Sequence, residues 1–235
     1  MKRITLIYAW LFCLALSVAA QEKVVKLKIV QTSDVHGNYY PYNFITRQEW
    51  KGSLARIYSF IEKERREYKD NLILLDNGDI LQGQPTAYYY NYIDTVSPHL
   101  CAEMMNYMKY DAVTAGNHEF DKPINVLLKQ MKEADFPFVV SNVEMNGKLL
   151  GEEYLVKQVD GIKVGLFGLT TSNTANLSVG AKGLVFKDEV ETARNMVKLL
   201  QEKKVDVIIG LVHLGFTETT PDFITSRKLA AQVDG

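Results

Sequence analysis

Disulfide chemistry is closed to most of this chain. Of the two cysteines in 235 residues, Cys13 lies in an apolar leader and only Cys101 remains beyond it. A single thiol makes no intramolecular disulfide, so stability has to come from a packed core. Cys101 itself reads as a small buried apolar residue on a helix. Charge of one sign is missing too. Lys+Arg number 27 against 28 Asp+Glu, a net charge of −1, which offers no electrostatic pull on a nucleic-acid polymer or an anionic membrane. There is no Pro-rich linker, low-complexity tract or internal repeat, and one large domain is the expectation for this length.

The one long apolar run is at the start. Lys2 and Arg3 precede the nearly wholly apolar Ile4 to Val18, and Ala19-Ala20 supplies small residues. That is the anatomy of a signal peptide cleaved near Ala20, and it is short for a membrane span; an uncleaved anchor is the alternative reading. Bulky Phe12 before Cys13 argues against a lipid anchor. Residues 1–20 are therefore set apart as leader and 21–235 as the folded domain, secreted or periplasmic, with no membrane contact after cleavage.

What is present beyond the leader is an alternation of strand and helix patterns. Val24 to Gln31 alternates apolar and polar as a half-buried strand, and Leu72 to Leu75, Ala112 to Ala115, Phe138 to Val140 and Val207 to Val212 read as buried strands. Leu54, Ile57, Tyr58 and Ile61 share a helical face, as do Ile124, Leu127, Leu128 and Met131, and Val190, Ala193, Val197 and Leu200. A Met- and Tyr-rich helix is expected near His99 to Tyr107. Asp160-Gly161 between Tyr154–Val159 and Ile162–Leu169 is a two-residue hairpin signal. The pattern indicates α/β layers with mixed sheets.

Polar groups of metal-ligand type follow the strand patterns: Asp34-Val35-His36, Gly78-Asp79, Gly116-Asn117-His118-Glu119 and His213-Leu214-Gly215. Glycine beside each lets the chain turn sharply at a strand end, and ligands bind at the carboxyl ends of strands in open α/β sheets. Two residues apart on an extended strand, Asp34 and His36 would point to one side. Carboxylate with imidazole suits a divalent ion such as Zn, Mn or Fe. Taken singly, each motif has an ordinary reading: a turn for Asp-x-His and Gly-Asp, a helix cap for Asn-His-Glu, a structural histidine for His213. Their joint occurrence in this order argues for a site, and two metal ions are a common means of cleaving phosphate esters. Asp76 reads as a turn residue. The aromatic stretches Asn38–Phe44 and Tyr88–Tyr92 read as surface-loop packing, with stacking on a base or contact with a second domain as alternatives.

The order Asp-x-His, Gly-Asp, Gly-Asn-His-Glu, apolar-His-x-Gly resembles the calcineurin-like metallophosphoesterase superfamily. The strings from Met105 to Asp121 and from Asp79 to Pro85 resemble its secreted 5′-nucleotidase and 2′,3′-cyclic phosphodiesterase branch. The resemblance implies a four-layer α/β/β/α sandwich and two divalent ions. By that resemblance Asp34 and His36 would hold one ion, Asp79 would bridge both, and Asn117 and His213 would hold the second, with Asn117 also beside the phosphate. His118 would face the substrate and Asp121 would orient it; Asp121 is equally placed to cap the helix after Pro123.

The implied activity is hydrolysis of phosphate esters, nucleotides first among them, by metal-activated water at a dinuclear centre. A cyclic-nucleotide phosphodiesterase, a UDP-sugar hydrolase and a sulfur-ester hydrolase share the motifs. The family completes both metal sites with a Gly-His-x-His that would fall beyond Gly235, and it carries a C-terminal substrate-recognition domain, on the same chain or as a separate partner. The alternative from another class is a non-catalytic metal- or partner-binding remnant.

Overall fold

The computed structural model describes residues 24–217, 220 and 223–234; the leader lies outside them. Two sheets form the centre. In the first, β4 (Leu72–Asp76) lies between β1 (Lys28–Thr32) and β5 (Ala112–Val113), all parallel. In the second, β9 (Ile162–Thr170) lies between β11 (Val207–His213), parallel to it, and β8 (Leu155–Val159), antiparallel through a hairpin. The hairpin turn has Asp160 and Gly161 at φ +49° and +89°, the left-handed pair that the Asp-Gly dipeptide favours. The mixed sheet expected from the sequence is thus this second one. Two short antiparallel pairings complete the strands: β2 (Tyr42–Asn43) with β3 (Gln48–Glu49), and β6 (Val143–Met145) between β7 (Lys148–Leu149) and β10 (Leu184–Phe186).

Period-two alternation along β4 and β9 builds four layers. On β4, Leu72 and Leu74 pack with Leu54, Ile61, Met105 and Leu127 of the helices Leu54–Tyr68, Leu100–Met108 and Ile124–Glu133. Its other face, Ile73 and Leu75, meets Val164 and Leu166 of β9 and Leu211 of β11. On β9, Phe167 and Leu169 face Ala193, Val197 and Leu200 of the helix Glu189–Glu202. The order is helices, sheet, sheet, helices, the α/β/β/α sandwich. Cys101 is buried on its helix, as its sequence reading held.

Three sequence expectations are corrected. The first strand begins at Lys28, four residues later than the apolar pattern, and Val24 is largely exposed. Phe138–Val140 is not a continuous strand; it joins the first sheet through one bridge, Val113 to Phe138, and a second bridge, Val139 to Glu152, ties it to the segment before β8. Its backbone is diverted because Ser141 donates from its N–H to Gly168 O and accepts the Gly168 N–H on Oγ, tying the segment to the second sheet. Asp76 is the last residue of β4 and fully buried, not a turn residue.

All the parallel strands of both sheets end at one rim, so the loops after β1, β4, β5 and β11 meet. Gly168 of β9 lies close against the segments beside the first sheet: a Cβ there would stand 1.9 Å from Val139 O and 2.6 Å from Thr114 Oγ1. Gly168→Ala is expected to lower the unfolding free energy by about 2 kcal/mol, the range for forcing extra volume into a packed interior. A urea-unfolding midpoint equal to that of the parent protein would contradict this account of the contact.

Candidate metal centre and its neighbouring histidine

The loop after β1 is held in a conformation the sequence did not disclose. Asp34 and His36 are not extended; both have left-handed backbones, φ +53° and +50°. Asp79 on the neighbouring loop has φ +60°. Such backbones cost of order 1 kcal/mol or more at non-glycine residues. A short ladder between the two loops offsets the cost: Asp34 N–H to Gly78 O at 3.0 Å, His36 N–H to Asp79 O at 2.9 Å and Gly37 N–H to Ile80 O at 3.0 Å. Asp34 and His36 do end on one side, with Nε2 of His36 3.8 Å from Asp34 Oδ1, but through curled rather than extended backbone.

Glycine is required where the loops after β4 and β5 cross. A Cβ on Gly78 would lie 2.1 Å from Gly116 N, and one on Gly116 would lie 2.2 Å from Asp79 Oδ1. Glu119, buried on the short turn His118–Phe120, takes four backbone N–H groups across this crossing. Its carboxylate accepts from Asp79 at 2.6 Å, Gly116 at 2.7 Å, Ile80 at 2.8 Å and Leu81 at 3.1 Å. Sequence reasoning saw a helix cap in Asn-His-Glu. The carboxylate does accept the Gly116 N–H three residues back, as a capping residue would, but its other three donors, Asp79, Ile80 and Leu81, lie on a separate loop, a long-range role with no local pattern to reveal it.

The remaining candidates converge on Asp79. Its Oδ1 accepts the His118 N–H at 2.8 Å, and its Oδ2 lies 3.2 Å from His213 Nε2. The same nitrogen is 3.2 Å from Asn117 Oδ1. His213 donates from Nδ1 to Asn77 O at 2.7 Å, which leaves Nε2 to face the two oxygens. His36 places Nδ1 3.3 Å from Gln82 O, so its Nε2 is likewise turned inward. Donor atoms of Asp34, Asp79 and His213 all lie within 4.8 Å of one another. Imidazoles oriented by a carbonyl on one nitrogen and presenting the other are the usual preparation for a metal ion, and the mixed oxygen and nitrogen donors fit a divalent ion of borderline softness. The carbonyls of Asn77 and Gln82 are partners that side-chain motifs could not signal.

The electrostatics favour a cation. Burial alone would push the His213 imidazole down, but the hydrogen bond and charge of Asp79 outweigh it and raise it to about 9. Burial would likewise raise the Asp79 carboxyl, yet His213 holds it below its ordinary value. Deeper in the first sheet, burial pushes Asp76 up to about 7 against the bonds it receives from Thr32 Oγ1 and Gly78 N–H.

His118 is turned differently. Its Nδ1 is 2.5 Å from Asp121 Oδ2 and its ring meets that of His36 edge-on at 5.4 Å. Asp121 therefore places Oδ2 on the histidine; the helix Ile124–Glu133 starts after Pro123 with no side-chain cap, so the capping reading of Asp121 fails. Lys122, buried, donates to His118 O at 3.1 Å, and its burial pushes the ammonium down. Of the aromatic stretches, Tyr39 is fully buried, with its hydroxyl 3.3 Å from Ile80 O. Tyr88 and Tyr92 are exposed, with ring centroids 4.9 Å apart. Among the described residues no helix is long and apolar enough to cross a membrane.

Known proteins resemble this chain over most of its length. The chain is 33% identical to a 5′-nucleotidase of Vibrio cholerae over 83% of its own length and 34% of that protein's. It is 34% identical to the snake venom 5′-nucleotidase of Crotalus adamanteus over 98% of its length and 38% of that protein's. It thus spans about a third of the length of these curated relatives. Among solved structures, the calcineurin-like phosphoesterase YfkN of Bacillus subtilis superimposes with a TM-score of 0.78 at 29% identity, covering 89% of this chain and 69% of that one. A 5′-nucleotidase precursor of Thermus thermophilus gives 0.68 at 31% identity, covering 81% and 37%. Residues 27–232 match the calcineurin-like phosphoesterase family, with its divalent-metal chemistry, and the chain belongs to that family.

Proposed function

We propose that this domain hydrolyses phosphate monoesters, with nucleotides as the principal substrates, at a centre that binds two divalent ions of Zn, Mn or Fe type. The observation that carries the reading is the convergence of Asp79 and Asn117 oxygens on the inward-facing Nε2 of His213, both at 3.2 Å. Asp34 and His36 would hold one ion, Asp79 both, and Asn117 and His213 the other. Bound there, the ions would neutralise the phosphoryl oxygens and activate the attacking water, which an ester this slow to hydrolyse requires.

The chain's own residues supply the rest. Asn117 keeps its amide beside the phosphoryl group. His118, with Nδ1 engaged by Asp121, is left with Nε2 free to hold a proton for the phosphoryl oxygen or the departing alkoxide. The names of the relatives, 5′-nucleotidases among them, support nucleotides as the substrate class. The pattern from Lys2 to Ala20 supports export to the periplasm or the medium.

Three outcomes are expected. In the full-length protein His118→Ala should retain its metal and lose at least ~100-fold in kcat on a nucleoside monophosphate, the scale of a general acid–base group; undiminished turnover removes His118 from the chemistry. Asp79→Asn should reduce bound metal at both positions, read by elemental analysis of the purified protein, and a fully loaded variant would rule out the bridging role. N-terminal sequencing of protein from the native host should begin near Gln21, whereas an intact Met1 would exclude cleavage.

A further inference from the structure

Ser178 lies outside the loops that supply the candidate ligands, between the turns that follow β9, and its hydroxyl has an unusual destination. It follows the helical turn Thr174–Leu177 and occupies the position before the 3-10 turn Val179–Ala181, where a serine ordinarily caps the turn with its side chain. It does not do so: the Ala181 N–H is taken by the Ser178 main-chain oxygen and no side-chain cap is made. The hydroxyl instead donates to Asp121 Oδ1 at 2.9 Å, with Asn117 O further off at 3.3 Å. Asp121 Oδ2, the other oxygen of that carboxylate, is the one at His118 Nδ1. The three side chains form a relay of fixed orientation: Ser178 hydroxyl, Asp121 carboxylate, His118 imidazole.

We propose that Ser178 is a positioning residue for the His118 imidazole, acting through Asp121; this rests on the role given to His118 above. The side chains of His118 and Asp121 are 34% and 31% exposed, so water competes for both carboxylate oxygens. Ser178 is buried, and a buried hydroxyl bonded to an ionised acceptor is costly to lose. Held at one oxygen, the Asp121 carboxylate cannot rotate, and its other oxygen stays aligned with the imidazole.

The placement of Ser178 is enforced by backbone contact. A Cβ on Gly180 would stand 1.8 Å from Lys122 O and 2.8 Å from Phe120 O, so the Ser178 loop lies directly against the His118–Lys122 turn. Phe120 and Phe186 meet edge-on at 5.4 Å beside it. The serine thus comes from the segment after β9 in the second sheet, and the histidine and aspartate from the segment after β5 in the first. The relay joins the two halves of the sandwich at the point where a proton would be delivered.

The test is Ser178→Ala in the full-length, metal-loaded protein, assayed on two esters. A nucleoside monophosphate has a poor alkoxide leaving group that needs protonation; p-nitrophenyl phosphate has a good one that does not. Loss of a hydrogen bond to a charged group predicts a fall in kcat of about tenfold on the nucleotide. The change on p-nitrophenyl phosphate should be under about threefold, with KM and bound metal as in the parent and only the modest fall in Tm that one lost hydrogen bond brings. Ser178→Thr, which keeps the hydroxyl, should restore the nucleotide rate. Equal losses on both esters, or a fall in metal content, would reduce Ser178 to a structural residue and overturn the proposal. So would an unchanged rate in Ser178→Ala where His118→Ala loses activity. Should His118→Ala itself turn over the nucleotide normally, it is the proposed chemistry of His118 that fails first, and that result is read independently of any Ser178 variant.

Discussion

The carboxylate of Glu119 is the constraint on which the centre depends. Four backbone N–H groups from two loops end on its two oxygens. Burying an ionised carboxylate is strongly unfavourable unless its acceptor sites are filled; here they are filled by the very segments that carry Asp79 and Asn117. The arrangement makes loop position and charge satisfaction one problem. If the loops separate, the carboxylate loses its donors; if it is removed, four buried N–H groups lose their acceptor. Each such bond to a charged group is worth about 1.5–3 kcal/mol in mutational terms, so the crossing of the two loops is among the most firmly held parts of the chain.

That firmness explains how strained residues can stand at the rim. Asp34, His36 and Asp79 all hold left-handed backbone without being glycine. The inter-loop ladder and the glycines at 78 and 116 distribute the strain across a contact that only hydrogen atoms permit. Side chains on curled backbone project from the end of a sheet rather than alternating above and below it. Such a geometry brings donors from four separate segments toward one point, and an extended rim would spread them apart.

Much of this was legible beforehand, for identifiable reasons. Strands read as alternating or apolar runs because β4 and β9 each face two different packed layers, and helices read as stripes because one side of each meets a sheet. Asp34, His36, Asp79, Asn117, His118 and His213 were visible as polar groups placed just past those runs. Less was visible wherever the determining contact was distant or made by main chain. Phe138–Val140 looks like a strand but is diverted by Ser141 bonding to Gly168. Glu119 looks only like a cap because one partner, Gly116, is three residues away while the other three lie 38 to 40 residues away. The carbonyls that orient His36 and His213 belong to Gln82 and Asn77, and carbonyls carry no sequence signal.

The ionic character of the site follows from the same packing. His213 is pressed against Asp79 by β11, and its Nδ1 is tied to a carbonyl from the β4 loop, so neither partner can turn away to water. In that confinement the imidazole is shifted up to about 9 by Asp79, and its charge together with the His118 N–H stabilises the buried Asp79 carboxylate. A proton on Nε2 and a divalent ion near it answer the same demand, and they compete for the same lone pair. Asp76 shows the contrast within one loop: equally buried and lacking a direct cation, it is pushed toward neutrality and is satisfied by hydroxyl and amide donors instead. Two aspartates three residues apart are thus shifted in opposite directions, Asp76 up by burial and Asp79 down by its bond to His213. It is that difference, more than the carboxyl groups themselves, that makes Asp79 the carboxylate suited to a cation.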